Sequence, residues 1–122
     1  MNARDSLPVV WLVRHGETAW SLSRQHTGRT DIPLTERGER DARALSTRLQ
    51  SVEFEHVLSS PLSRARRTAE LAGFAQRLEL DDDLMEWNYG AYEGRRTAEI
   101  RKEHPGWDPF IHGCPGGENI AD

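Results

Sequence analysis

An arginine and a histidine stand side by side in Leu12-Val13-Arg14-His15-Gly16-Glu17-Thr18, and both side chains have a use at an anion. An imidazole is neutral and nucleophilic for part of its population near pH 7, so it can attack without a metal or a separate base. A guanidinium stays charged at any working pH and offers a planar fork to carboxylate or phosphate oxygens. The pair follows the apolar run Val9-Val10-Trp11-Leu12-Val13, where a buried strand would stop and a loop begin. In open α/β sheets, ligands gather at the carboxyl ends of strands, so Arg14 and His15 are predicted to face an anionic substrate there.

Periodicity gives the elements that must position this pair. The run 9–13 is continuous rather than alternating, rich in β-branched residues and bounded by Pro8 and Gly16, which predicts a strand covered on both faces within a parallel sheet. Residues 16–34 are rich in Gly, Ser, Thr, Arg and Asp with no period and predict a long loop. Thr35 reads as an N-cap, Glu36 and Glu39 oppose the helix dipole, and Ala42, Leu45, Leu49 and Val52 recur near helical spacing. His56-Val57-Leu58-Ser59 predicts a second strand. A second helix is expected to start at Pro61 behind an N-cap at Ser60, with Leu62, Ala65, Ala69 and Ala72 as a narrow apolar stripe and Gly73 as its stop. Leu78-Glu79-Leu80 predicts a third strand, 97–104 a short helix ended by Pro105-Gly106, and 109–117 irregular chain. Strand alternating with helix is the rhythm of an α/β sandwich.

The chain has 122 residues, the size of one domain, so a single unit over 1–122 is expected. Its 16 Lys+Arg against 20 Asp+Glu leave a net charge of −4, which gives no footprint for nucleic acid or an anionic membrane. An anion site must therefore be a local cluster of arginines. Cys114 is the only cysteine, which excludes an intrachain disulfide and suits a reducing, cytoplasmic compartment. The mixed charge of residues 1–8 ahead of a short apolar run is expected to be neither an export signal nor a membrane span.

Separated stretches in a set order carry a resemblance. They are Arg14-His15-Gly16 with Glu17-Thr18 and Trp20, then Gln25-His26-Thr27-Gly28 with Asp31-Ile32-Pro33-Leu34-Thr35. Next come Ser60-Pro61-Leu62-Ser63-Arg64-Ala65 and Glu86-Trp87-Asn88-Tyr89-Gly90-Ala91-Tyr92-Glu93-Gly94, while Gly113 to Glu118 ends in Gly-Gly-Glu. Together they resemble the histidine phosphatase superfamily, also called the phosphoglycerate mutase-like family. The resemblance implies a three-layer α/β sandwich with a mostly parallel central sheet flanked by helices. It implies phosphoryl transfer through a phosphohistidine on His15, with Arg14 and Arg64 binding the phosphate. Glu86 would protonate the leaving oxygen and later activate water, with aromatic neighbours such as Trp87 expected to desolvate it. Glu93 is the nearest competitor for that acid. Thr27 and the Gly28 amide are expected to touch phosphate or substrate, and Ser21, Asn88 and Tyr89 suit a polyol. Arg66 and Arg67 read as a solvated face, His26 as an exposed loop residue, and Asp31, Pro33 and Thr35 as a turn entering the helix. No cofactor or metal is implied: His104, His112, Cys114 and Glu118 match no zinc spacing, and no phosphate-loop or dinucleotide glycine pattern occurs.

Several departures narrow the expectation. Cofactor-dependent mutases of the family carry a lysine three residues after the glycine matching Gly94, and an arginine pair further on; here the first position is Thr97, and 107–113 contains no arginine. Trp20-Ser21 and Gly113-Cys114 look more like the sugar-phosphatase branch, which includes sedoheptulose-bisphosphatase-like enzymes. The expected partner is a small phosphorylated substrate, and a homo-oligomer is left open. The alternatives are a phosphoglycerate mutase and a non-catalytic module that binds phosphorylated ligands. Family members also carry a later strand ending in a second histidine, so C-terminal strands are expected to be missing from 1–122.

Overall fold

The computed structural model describes residues 7–122. The mixed-charge N-terminal stretch lies, in its residues 1–6, outside the described residues. The elements are α1 (Ala19–Ser23), α2 (Glu36–Leu49), β1 (Val57–Ser59), α3 (Ser63–Ala69), β2 (Leu78–Leu80), α4 (Thr97–Glu103) and α5 (Pro109–His112). β1 and β2 pair in parallel, with Val57 opposite Leu78 and Ser59 opposite Leu80, and α3 makes the crossover between them. No described helix is long and apolar enough to cross a membrane.

Helix α2 starts where expected but ends at Leu49, so Val52, the last residue of the expected stripe, lies beyond it. The Thr35 hydroxyl accepts from Gly38 N, Glu36 and Glu39 occupy the first turn, and Ala42 and Leu49 are buried. Helix α3 starts two residues later than expected, at Ser63 rather than Pro61, because Ser60 Oγ accepts from Leu62 N at 3.3 Å and forms a separate turn first. The first turn of α3 is capped from a distance: Asp31 Oδ1 accepts from Ser63 N (2.8 Å) and Ser63 Oγ (2.6 Å). The helix runs into a wider turn over Glu70–Phe74 and stops at Gly73, whose φ of 107° few other residues adopt.

Two expected irregular stretches contain short helices. Within 16–34, Thr18 and Ser21 exchange side-chain and backbone hydrogen bonds at the start of α1, and Thr18 bridges antiparallel to Leu34, which closes the loop. Within 109–117, Asp108 caps Phe110 N and Pro109 opens α5. A small core lies beneath this half: Ile100, Trp107 and Cys114 are buried, with Trp87, Tyr89 and Tyr92 packed on them.

The run 9–13 corrects the sequence expectation. It is not a ladder strand, and it is exposed, from 52% at Trp11 and Val13 to 93% at Leu12. Among the described residues no main-chain hydrogen bond joins 9–13 to another segment. The physical reason is a gap. A cleft of about 600 Å³ separates 11–15 on one side from 56–60 on the other, floored by Leu49, Ala65, Ala69 and Ala72. A run apolar on both faces needs a ladder neighbour and two covering layers. Here it finds one partial cover, including Trp11 edge-on to Phe54 at 5.8 Å. Among the described residues, the central sheet of a three-layer sandwich is thus present only as the pair β1 and β2.

Candidate active site

His15 is half-buried at the end of that exposed run, and a carbonyl orients its ring: Nδ1 lies 2.7 Å from Gly16 O. A carbonyl only accepts, so Nδ1 carries the proton and donates, which leaves the lone pair on Nε2. Burial pulls the imidazole below its ordinary 6.5. The bond to Gly16 opposes this, the Arg64 and Arg14 guanidiniums add to it, and Glu86 opposes it.

Gly16 ties the histidine to two helices. Its N–H donates to Thr68 Oγ1 at 3.0 Å, and that hydroxyl donates to the Arg64 carbonyl at 2.7 Å, one turn back along α3. A Cβ on Gly16 would stand 2.7 Å from Gly38 O, so loop and α2 meet at two glycines because nothing larger fits. The nucleophile and the helix bearing Arg64 therefore share one frame.

Arg64 is 3% exposed. Its Nη1 donates to Thr30 O (3.0 Å) and its Nη2 to Gly28 O (2.8 Å) and Thr27 O (3.4 Å). Its Nε–H makes no hydrogen bond among the described residues and remains a donor for a ligand. Arg14 is exposed, and Arg14, His15 and Glu86 line the same cleft between 11–15 and 56–60. Three of the four groups named from the sequence thus line one cleft, and the fourth, Arg64, lies outside its lining but near enough to His15 to act on its charge.

Glu86 is exposed, and its backbone carbonyl accepts from Arg29 Nε at 3.2 Å. The expected cover by Trp87 is absent: that ring packs on Phe110 at 5.3 Å and on the Ile100–Trp107–Cys114 core instead. Glu93 drops out as the acid. Its two carboxylate oxygens accept from Gly28 N (3.2 Å), Arg29 N (2.9 Å), Thr30 N (2.8 Å), Thr30 Oγ1 (2.6 Å) and Tyr89 N (2.9 Å). Burial pushes its pKa up, but these bonds outweigh burial and hold the carboxyl below its usual range. A carboxylate so occupied has no proton to give.

The residues expected to touch substrate are placed unevenly. The Gly28 amide points away from the cleft to Glu93, and a Cβ there would collide with Trp87 O and Glu93 Oε2. Thr27 contributes its carbonyl to Arg64, and its hydroxyl lies 3.3 Å from Gln25 O. Asn88 Oδ1 accepts from Gly90 N at 2.9 Å, which closes a turn. Tyr89 stacks on His26 with centroids 4.6 Å apart, and burial pushes its phenol pKa up. Ser21 is engaged with Thr18 yet lines a second cleft with Arg14 and His15. His26 is half-buried rather than exposed, with Nε2 2.8 Å from Thr97 Oγ1. Sequence reasoning missed the hydrogen bonds that Asp31, Thr68 and Glu93 make to distant stretches, because such bonds leave no local pattern.

Among the described residues no group of three or more His, Cys, Asp or Glu side chains could hold a metal ion. His104 and His112 lie 4.6 Å apart, but His112 Nδ1 accepts from Asp108 N.

Known proteins resemble this chain in sequence and in fold. The chain is 44% identical over 112 residues to an acid phosphatase of Mycobacterium tuberculosis, covering 90% of the chain and 55% of that protein. It is 36% identical over 121 residues to a Salmonella choleraesuis protein named "Probable phosphoglycerate mutase GpmB", covering 93% of the chain and 56% of the relative. The solved structure of a Mycobacterium tuberculosis open reading frame superposes with a TM-score of 0.79 at 42% identity, over 88% of this chain and 56% of that one. The chain spans about half the length of the curated relatives it matches. The family described as the histidine phosphatase superfamily (branch 1) matches residues 10–122, and the chain belongs to that family.

Proposed function

We propose that this chain carries the nucleophile, phosphate-binding arginines and proton donor of a metal-independent phosphomonoesterase. Its substrates would be small phosphorylated metabolites, with sugar phosphates favoured. The observation that carries the reading is the free Nε2 of His15 at one end of the cleft shared with Arg14 and Glu86, with the buried Arg64 close by. In the first step Nε2 bonds to phosphorus, the ester P–O bond breaks, and Glu86 gives a proton to the leaving oxygen. Arg14 and Arg64 neutralise the charge that gathers on the equatorial oxygens. In the second step Glu86 takes a proton from water, the oxygen attacks phosphorus, the N–P bond breaks and inorganic phosphate leaves. Each step is complete without a metal.

A phosphatase is favoured over a mutase by one placement. Thr97, where the family's mutases would carry a lysine, lies against His26, and no arginine occurs in 107–113. A substrate with a carboxylate and two phosphate positions would be poorly neutralised there.

The cleft between 11–15 and 56–60 is proposed to receive a β-strand from a longer form of the polypeptide, as the resemblance implies. A strand entering beside the free edge of β1 would end close to His15 and could bring a second histidine to the phosphate.

The test is incubation of the chain with p-nitrophenyl phosphate and sugar phosphates in EDTA. Phosphate release should persist, and acid-labile phosphate should be trapped on the protein and lost in His15→Ala. Sensitivity to EDTA would contradict the mechanism. Phosphate binding without any phosphohistidine would favour the ligand-binding module, and activity primed by 2,3-bisphosphoglycerate would favour the mutase.

A further inference from the structure

The carboxylate of Glu93 and the guanidinium of Arg64 do not touch, yet two peptide groups join them end to end. In the peptide between Thr27 and Gly28, the carbonyl accepts from Arg64 Nη2 (3.4 Å) and the N–H donates to Glu93 Oε1 (3.2 Å). In the next peptide, the Gly28 carbonyl accepts from Arg64 Nη2 (2.8 Å) and Arg29 N donates to Glu93 Oε2 (2.9 Å). Both dipoles thus lie with their positive ends on the anion and their negative ends on the cation. Thr30 repeats the pattern across one residue, its amide and hydroxyl on Glu93 and its carbonyl on Arg64 Nη1. Hydrogen bonds in such a chain polarise one another.

The arrangement answers a physical difficulty. A guanidinium only 3% exposed has lost most of its water, and no carboxylate among the described residues forms an ion pair with it. Neutral carbonyls alone are weak compensation for a buried charge. Carbonyls polarised from behind by a carboxylate are stronger acceptors. Geometry permits this only because residue 28 is glycine: a Cβ would collide with Glu93 Oε2 and Trp87 O. Tyr89 N, donating to the same carboxylate, links the assembly to the stretch that bears Glu86.

We propose that Glu93 is a positioning residue for the phosphate-binding arginine, acting through the peptide groups of the 27–30 turn to set the orientation of Arg64 and offset its burial. Only its consequence at phosphate rests on the phosphatase reading. Glu93→Gln keeps the shape of the side chain but removes the charge and presents an NH2 to amides that also donate.

The experiment reads Arg64 directly and the ligand separately. In the folded chain the Arg64 Nη protons should give slowly exchanging NMR signals, assigned by their loss in Arg64→Lys. In Glu93→Gln they should broaden or merge as rotation about Cζ–Nη is freed. In parallel, the affinity for inorganic phosphate should fall about ten-fold in Glu93→Gln. The same change should have less than about a two-fold effect when Arg64 is already alanine. Unchanged Nη signals, or equal losses of affinity with and without Arg64, would overturn the proposal. If Glu93→Gln does not fold, Thr30→Val removes a single donor and should broaden the same signals more weakly; no broadening in that variant is equally fatal. A Glu93-dependent Arg64 signal combined with phosphate binding indifferent to Arg64→Ala would leave the coupling standing and remove the phosphatase reading.

Discussion

His15 sits half out of water with two guanidinium groups near it, and both conditions favour the neutral ring. Its titration midpoint in the folded chain should therefore lie below 6.5, followed by NMR on the ring C–H signals, and should rise in Arg64→Met. A midpoint at or above 6.5 would contradict the geometry. The sign for stability follows. Below 6.5 the unfolded imidazole binds a proton more readily than the native one, so the contribution of His15 is complete above that pH and declines as pH falls toward the native value. Gly28 gives a second test at this scale. Gly28→Ala should destabilise the chain by about 1–3 kcal/mol in denaturant unfolding, since the added methyl meets the Trp87 carbonyl and Glu93. An unchanged midpoint would mean that the turn yields freely. His15, Arg14, Arg64 and Glu86 stand out in the sequence because residue type and neighbours suggest their chemistry, and their roles in phosphoryl transfer are proposed rather than shown. The Gly28 amide, expected at phosphate, instead donates to Glu93, because the direction of an N–H depends on a partner far along the chain.

Among the elements, α2 was legible to its cap because Thr35, its acidic first turn and its apolar stripe all lie within one stretch of chain. The start of α3 was not, because its cap is Asp31, from another loop. Asp31→Ala should cost about 1 kcal/mol, the usual worth of a side-chain cap, and thermal unfolding would measure it. Ser63 and Arg64 are adjacent in this first turn, so the loss should also weaken phosphate binding; an effect on stability alone would show that the cap does not position Arg64. The hydroxyl of Ser63 lowers the Asp31 pKa below its usual value. The stabilisation is therefore present above the unfolded carboxyl pKa and disappears as pH falls through the native one. The short α1 was hidden inside a predicted loop for a similar reason: its cap pair, Thr18 and Ser21, lacks the glutamate or glutamine that marks such a start.

At the scale of the molecule, the apolar run 9–13 is expected to be a covered strand and is instead exposed and outside any ladder, because a sequence states what a strand requires and not whether its neighbours are present. The described residues supply helices on one side of the cleft and a two-stranded ladder beyond it. The result is a run of exposed apolar residues at Val9, Val10, Trp11, Leu12 and Val13, with Leu58 exposed to 54% on the other side of the cleft. Patches of this kind recruit partners or self-associate, and an extended segment without ladder partners is a template for edge pairing. The chain alone should therefore bind an apolar dye such as ANS and show concentration-dependent association in sedimentation. Joining it to the remaining half of the acid phosphatase that is 44% identical to it should suppress both and raise turnover of p-nitrophenyl phosphate. Leu12→Ser tests the patch without adding any chain or charge: it should reduce association while leaving the His15 titration unchanged, because Leu12 is 93% exposed. A monomeric, dye-silent chain would mean that 9–13 is covered in solution by some other arrangement of these same residues, and the proposed slot for a further strand would then be closed.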